Sequence, residues 1–306
     1  MRKNLIIDTD PGIDDAVAIA IALFSEKYNV NLISTVAGNV DIEKVTLNAR
    51  RLLKFFGKEE IPVVMGSKSP LIEKLETAVD VHGLSGMEGW DFEDPVVDIV
   101  DENFLSYMYK TIMEKDKKTT IMAIGPLTNI ALLLKIYPDV KNKIEEIVFM
   151  GGSLTRGNKG VMSEFNIAVD PEAAYIVIHS GVPIVMAGLD IGLKALIYPE
   201  DSEKIKVQNK TGEMVYSLFK KYRGGSFNTG LKMYDSTAVA YLLKPDLFEY
   251  VDTYVDVELK GEMTKGVTLV DLRGYLKKDI KNVKVITDVK AEEFRTWFIE
   301  SLNKCI

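Results

Sequence analysis

The sequence predicts an α/β fold in which helices flank an open, mostly parallel central sheet. This arrangement is Rossmann-like, with a few extra C-terminal strands. Short apolar runs alternate with longer amphipathic runs along most of the chain, as in successive βαβ units. No linker, low-complexity tract or internal repeat interrupts the alternation, so we expect residues 1–306 to form a single domain. The 306 residues are 47% hydrophobic, enough to fill such a core.

Strands and helices alternate through the N-terminal half. The helix at 14–28 places Val17, Ile21 and Phe24 on one face, with the spacing of an amphipathic helix. The helix at 43–56 is followed by Gly57, a residue type that commonly ends helices. In chain order we expect strand 5–7, helix 14–28, strand 30–36, helix 43–56, strand 61–65, helix 103–114, strand 120–124 and helix 127–134.

The C-terminal half continues this pattern and then changes. We expect strand 144–150, helix 171–179 with proline in its first turn, and strand 182–187. Residues 254–259 and 267–271 are expected to pair as strands, followed by strand 283–287 and a closing helix at 292–303.

Three long segments, 66–100, 151–168 and 220–235, have no regular pattern. Long irregular segments in a compact domain are usually functional. In an open parallel sheet they gather beyond the carboxyl ends of the strands, where ligands bind. We therefore expect these three segments to surround the functional site.

Charge and cysteine content exclude several classes of protein. The net charge is −7, and no basic surface is available for a nucleic-acid backbone. The single cysteine, Cys305, excludes an internal disulfide framework and argues against a thiolate metal site. No apolar run reaches the ~18 residues of a membrane span, and no signal-peptide pattern is visible. We expect a cytoplasmic protein that binds a small molecule and neither nucleic acid nor membranes.

Four acidic residues follow the first predicted strand, in the segment DTDPGIDD at 8–15. Carboxylates this close raise one another's pKa unless a positive charge compensates. Because the ligands on offer are oxygens, the cluster suits calcium or magnesium; zinc is disfavoured, since no histidine or cysteine is nearby. Capping of the next helix explains one aspartate but not all four. The sequence therefore predicts a cation site.

The pair Asp8 and Asp10 also has a second interpretation. In haloacid dehalogenase-like phosphatases an Asp-x-Asp pair follows the first strand, and the first aspartate is the nucleophile. That pattern continues with Gly-Thr or a similar pair, whereas Pro11 and Gly12 follow here. A phosphatase is therefore the weaker alternative.

A series of short motifs resembles those of the inosine-uridine preferring nucleoside hydrolase family. One such motif alone is weak, but the series keeps the family's order along nearly the whole chain. The resemblance implies calcium-dependent hydrolysis of the N-glycosidic bond of ribonucleosides, in a homodimer or homotetramer. The motifs are DTDPGIDDA (8–16), AGN (37–39), HGLSG (82–86), GPLTN (125–129), MGG (150–152), EFN (164–166), DPEAA (170–174) and TKGVT (264–268).

The resemblance also implies a role for each matching residue. Calcium would be held by Asp10, Asp15, Asp235 and the backbone carbonyl of Ile124, and would itself hold the attacking water and the ribose diol. Asp10 would accept the proton of that water. The other residues would surround the substrate: Asp14 and Asn166 at the ribose diol, Asn158 and Glu164 at the 5′-hydroxyl, Asn39 on the nucleophile side and Met150 against the sugar.

The sequence departs from the family pattern at Tyr234, directly before Asp235. Well-studied members carry a histidine there that protonates the leaving base, and a phenol is a much weaker acid at neutral pH. Either His82, on a glycine-flanked segment, protonates the base, or stabilisation of the sugar cation alone drives its departure. Tyr222 and Tyr234 are expected to form an aromatic wall around the base, together with Phe219 and Phe227. The preference for purine or pyrimidine bases stays open.

A calcium-dependent nucleoside or sugar binder without turnover is the alternative from a different class. The presence of Asp10, Asp14 and Asn39 argues against it, because a binder needs no base directed at a water molecule.

Overall fold

The computed structural model describes residues 2–276 and 278–306. These residues form thirteen strands, and eight of them make up the central sheet. In chain order the strands are β1 (Lys3–Thr9), β2 (Tyr28–Thr35), β3 (Val63–Met65), β4 (Thr119–Ala123), β5 (Ile144–Met150), β6 (Ile184–Ala187), β7 (Leu196–Ile197), β8 (Gly225–Ser226), β9 (Gly230–Lys232), β10 (Phe248–Thr253), β11 (Val255–Val257), β12 (Thr268–Val270) and β13 (Val283–Val289).

The central sheet has the strand order β10-β13-β6-β5-β4-β1-β2-β3. Its pairings are parallel except that of β10 with β13. Antiparallel pairing joins β11 to β12, and β9 to both β7 and β8. The predicted fold class, including the extra C-terminal strands, is therefore confirmed.

Helices cover both faces of the sheet. They are α1 (Ile13–Leu23), α2 (Ile42–Phe55), α3 (Val79–His82), α4 (Phe104–Met113), α5 (Thr128–Ile136), α6 (Phe165–Val169), α7 (Pro171–Ile178), α8 (Leu189–Gly192), α9 (Pro199–Lys206), α10 (Lys210–Phe219), α11 (Tyr234–Leu243) and α12 (Ala291–Asn303), with 3₁₀ turns at Pro138–Lys143 and Pro245–Leu247. Among the described residues, no helix has the length and apolar character needed to cross a bilayer.

The alternation of side chains along β1 divides the core into two layers. Leu5 and Ile7 belong to the apolar cluster that includes α1, α10, α11 and α12. Ile6 points the other way, into the cluster with α4, α5 and α7. All three residues are buried because helices cover both faces of the strand.

Most predicted elements are present, and the differences have local causes. The helix predicted at 14–28 ends at Leu23, and Tyr28 already begins β2. The segments predicted to be irregular contain α3, α6, β8 and β9, which are too short for a periodic pattern. The helices α8, α9 and α10 and the strands β7 and β10 were not predicted. The four central residues of β10 are exposed, so its sequence lacks alternation.

The parallel strands bring separate parts of the sequence to one edge of the sheet. The loops after β1, β2, β4 and β5 start at the same carboxyl edge, because these strands run in one direction. Asp10 follows β1, Asn39 follows β2, Ile124 follows β4, and Met150 ends β5. This edge is where ligands bind in open α/β sheets.

Candidate active site

A cavity of about 280 Å³ lies at this carboxyl edge. The predicted site residues that line it are Asp14, Asn39, His82, Ile124, Met150, Asn158, Glu164, Asn166, Tyr222, Tyr234 and Asp235. Asp10 and Asp15 do not line it, but both are buried and hydrogen-bonded to Asn39, which does. The structure therefore gathers these thirteen predicted site residues in or directly behind one cavity.

Three carboxylates meet at the start of two helices. Asp14 and Asp15 lie in the first turn of α1, and Asp235 lies in the first turn of α11. One carboxylate oxygen from each lies within 4.8 Å of the other two. The positive ends of both helix dipoles favour negative charge at these positions. Asp10 is outside this group of three.

Burial makes these carboxylates costly to ionise. It raises the pKa of Asp14 to about 6, and burial together with the charge of Asp14 raises the pKa of Asp15 to about 6. Burial and the charges of Asp14, Asp15 and Asp10 raise the pKa of Asp235 well above its ordinary value. A cation that prefers oxygen ligands is the chemical complement of such a cluster.

The carboxylate of Asp10 is held at one oxygen only. Its Oδ2 accepts the backbone N–H of Asn39 at 2.7 Å. Its Oδ1 is buried and has no hydrogen-bond partner among the described residues. A Cβ atom at Gly125 would lie 2.6 Å from this Oδ1, so only glycine leaves room for it. A buried oxygen of this kind requires a cation or a water molecule as partner.

Asp15 is fixed from three sides. Its Oδ1 accepts the hydroxyl of Thr9 at 2.6 Å, and its Oδ2 accepts the backbone N–H of Gly12 at 2.9 Å. The side-chain amide of Asn39 donates to the same Oδ2 at 3.2 Å and to the backbone carbonyl of Asp10 at 3.0 Å. Asn39 therefore ties the two aspartates together.

Asn166 and Glu164 shape the wall beyond β4 and β5. The Nδ2 of Asn166 donates to the carbonyls of Ile124 and Met150, both at 3.1 Å. Glu164 caps α6, and its oxygens accept the backbone N–H groups of Asn166 and Gly152 at 3.0 and 2.9 Å. Burial raises the pKa of Glu164 to about 7. The side-chain hydrogen bonds of Asn166 use only its amide nitrogen, Nδ2.

His82 is buried at the end of α3 and faces the acidic cluster. Its Nδ1 accepts the backbone N–H of Ile13 at 3.1 Å and lies 4.0 Å from Oδ1 of Asp14. Burial lowers the pKa of His82 to about 4. The ring is therefore neutral at pH 7, with its proton on Nε2.

The expected aromatic wall is smaller than predicted. Phe219 is fully buried in the core, and Phe227 packs edge-on against Tyr216. Neither lines the cavity, because both rings pack against other side chains instead. Tyr222 and Tyr234 do line it, and the hydroxyl of Tyr222 donates to Oδ2 of Asp14 at 2.9 Å.

Six further residues line the cavity without having been predicted. The sequence points to them only by position, since Lys159 and Phe165 adjoin predicted site residues and the other four lie within five residues before His82. Asn158 is joined to this group by its Oδ1, which accepts the backbone N–H of Phe165 at 2.9 Å. The six are Thr77, Ala78, Asp80, Val81, Lys159 and Phe165.

Comparison with known proteins agrees with this geometry. Residues 5–296 match the family model described as inosine-uridine preferring nucleoside hydrolase. The non-specific ribonucleoside hydrolase RihC of Salmonella paratyphi C is 46% identical over 297 residues, covering 97% of this chain and 96% of that protein. A plant nucleoside hydrolase, PpNRh1, superposes with a TM-score of 0.91 at 31% identity, covering 99% of each chain. A purine-preferring ribonucleoside hydrolase from Gardnerella vaginalis also has a TM-score of 0.91, at 28% identity and 99% coverage of each chain.

The fold and the acid-lined cavity, taken with these similarities, define an enzyme of the N-glycosyl hydrolase class, a ribonucleoside hydrolase. The family model spans nearly all of the described sheet, from β1 into α12. The chain belongs to the inosine-uridine preferring nucleoside hydrolase family. The phosphatase alternative is therefore set aside, and Asp8, its nucleophile, is fully buried against Ser34 and Asn129.

Proposed function

We propose that this enzyme hydrolyses ribonucleosides to ribose and free nucleobase in a calcium-dependent reaction in which Asp10 is the general base. The observation that carries the proposal is the meeting of the Asp14, Asp15 and Asp235 carboxylates within 4.8 Å, at the buried end of the cavity. The relatives support the reaction, since RihC is named a non-specific ribonucleoside hydrolase.

The residues present suit calcium. They offer carboxylate and carbonyl oxygens, the ligands that calcium prefers. We assign the ligand set to Asp10, Asp15, Asp235 and the carbonyl of Ile124. When bound, calcium supplies positive charge that neutralises the acids, orients hydroxyl groups and lowers the pKa of a water molecule.

Asp10 has the arrangement of a general base. The backbone N–H of Asn39 occupies Oδ2 and fixes the carboxylate plane. Oδ1 is therefore the atom that can accept a proton from the attacking water. With calcium bound, its positive charge would keep the Asp10 carboxylate ionised, as a general base must be.

The cavity wall suits ribose. Asn166 commits its amide nitrogen to two backbone carbonyls, so its Oδ1 is the atom that would accept from a ribose hydroxyl, beside Asp14. Glu164 and Asn158 would meet the 5′-hydroxyl, and Met150 would pack against the sugar ring. Positive charge develops on the sugar as the glycosidic bond breaks, and the surrounding carboxylates stabilise it.

The departing base has two neighbouring groups that carry a proton. His82 is neutral and offers only an Nε2–H, while the phenol of Tyr234 is a weaker acid than free tyrosine because burial raises its pKa. We propose that stabilisation of the sugar cation, and not a strong acid, drives departure of the base.

A nucleoside panel tests the proposal. Purine and pyrimidine ribonucleosides are incubated with the enzyme, with and without a calcium chelator, and reducing sugar is measured. We expect ribose release that chelation abolishes and added calcium restores, and one calcium per chain by elemental analysis. Binding of nucleosides without ribose release would identify the non-catalytic binder, and zinc in the purified protein would refute the calcium assignment.

We also propose that residues 1–306 form one domain and assemble as a homodimer or homotetramer. The central sheet takes strands from both ends of the chain, β1 and β13, which supports one domain. Light scattering coupled to size-exclusion chromatography measures the assembly, and a monomer would contradict it.

A further inference from the structure

We propose that Tyr222 is a positioning residue that fixes the Asp14 carboxylate for ribose binding, and that it does not recognise the nucleobase by stacking. The inference rests on the proposed function, in which Asp14 binds the ribose diol. Its basis is the buried hydrogen bond from the Tyr222 hydroxyl to Oδ2 of Asp14, 2.9 Å long, between residues 208 positions apart in sequence.

The position of the Tyr222 ring is set by the protein around it. Tyr222 is only 4% exposed, so little of its face is available for stacking on a base. A Cβ atom at Gly224 would lie 2.0 Å from Cζ of Tyr222 and 2.1 Å from its hydroxyl. The side chain therefore fits only because residue 224 is glycine. The ring of His82 packs beside it, with the centroids 5.6 Å apart.

The backbone around Tyr222 is anchored as well. Its N–H donates to the carbonyl of Leu218 at the end of α10. The next residue, Arg223, donates its backbone N–H to Val81 and its guanidinium to the carbonyl of Asp80, which ties this loop to α3. A phenol held this firmly is suited to orient a partner.

The partner of the phenol is the Asp14 carboxylate, and its two oxygens differ in their contacts. The hydroxyl of Tyr222 lies 2.9 Å from Oδ2 of Asp14 and 3.2 Å from the carbonyl of Lys232. The shorter bond, to Asp14, sets the rotation of the carboxylate plane. Oδ1 lies 4.0 Å from His82 Nδ1, beyond hydrogen-bond length. It is therefore the oxygen of Asp14 that can accept a ribose hydroxyl. Without the phenol, the carboxylate can rotate and the hydrogen bond to ribose loses its fixed geometry.

The test compares Tyr222→Phe with the wild-type enzyme on sugar-modified substrates. Loss of a hydrogen bond to a charged acceptor is expected to lower kcat/KM on inosine by about ten- to a hundredfold. If the effect passes through Asp14 to the diol, the penalty should shrink on the analogue that lacks the hydroxyl bound by Asp14. That analogue is either 2′-deoxyinosine or 3′-deoxyinosine, and on it the penalty should fall below about threefold. It should stay undiminished on 5′-deoxyinosine, which keeps the diol.

Tyr216→Phe is the matched control, because Tyr216 lies on α10 and its hydroxyl donates to Glu203 at an exposed position. It should leave every substrate unchanged. A Tyr222→Phe penalty that is equal on all the sugars would show that the effect does not pass through the diol, and a penalty that differs between inosine and uridine would show contact with the base. Either result would overturn the proposal. Wild-type enzyme inactive on every ribonucleoside would instead refute the proposed function.

Discussion

Replacement of Tyr234 by phenylalanine tests how the nucleobase leaves. Tyr234 begins α11 and lines the cavity, where its ring packs closely over Gly192. Burial, followed by the charges of Asp14 and Glu164, raises the pKa of its phenol above the ordinary value. A phenol that holds its proton this tightly is a poor general acid at neutral pH. At most it donates one neutral hydrogen bond to the base.

The magnitude follows from that single hydrogen bond. A neutral hydrogen bond contributes about 1 kcal/mol, so Tyr234→Phe should lower kcat by about fivefold and by no more than about tenfold. The assay compares kcat on the best nucleoside with kcat on p-nitrophenyl riboside, whose leaving group needs no protonation. We expect kcat on the nucleoside to fall by this small factor, and kcat on p-nitrophenyl riboside to fall by no more than that. Tyr241→Phe, on the same helix and outside the cavity lining, is the control.

One result would refute this reasoning. A loss of a thousandfold or more on the nucleoside, with p-nitrophenyl riboside unaffected, would show that Tyr234 is the general acid. The family's histidine would then have been replaced by a working acid despite the raised pKa of the phenol.

The other predictions concern the acidic cluster and the packing behind it. Asp10→Asn should lower kcat by about a hundred- to ten-thousandfold while the circular dichroism spectrum is retained; near-normal kcat with calcium bound would show that Asp10 is not the base. Because the pKa values of Asp14 and Asp15 are raised from 3.8 to about 6, the calcium-free protein should lose stability as pH rises from about 4 through about 6. The gain in Tm from calcium should therefore be larger at pH 7 than at pH 5, and an equal gain at both would contradict the linkage. Gly192→Ala would place a Cβ atom 2.1 Å from Cδ1 of Tyr234, so it should destabilise the protein by about 1–3 kcal/mol; an unchanged Tm would show that the ring moves freely.

The sequence alone predicted most strands of the central sheet and the cluster of acids at its carboxyl edge. The apolar runs at 5–7, 120–124 and 147–150 are fully buried, and buried parallel strands are recognisable because both faces must be apolar. The acids at 8–15 follow the first of these strands directly, so a ligand site at its carboxyl end followed from local order. Features with weak local signals were not predicted from the sequence. β10 is an exposed edge strand, and α1 ends before the segment at 24–27, earlier than its periodicity suggests.

Only the tertiary structure decided how the site residues divide their tasks. The aromatic residues near 220 are similar in sequence, yet Phe219 is in the core while Tyr222 reaches Asp14. The sequence marked His82 as a candidate acid, but burial against Ile13 lowers its pKa and leaves it neutral. Local sequence fixes which groups are present and roughly where the chain turns. Burial, charge and hydrogen bonding at each group depend on residues tens to hundreds of positions away, which only the folded chain brings into contact.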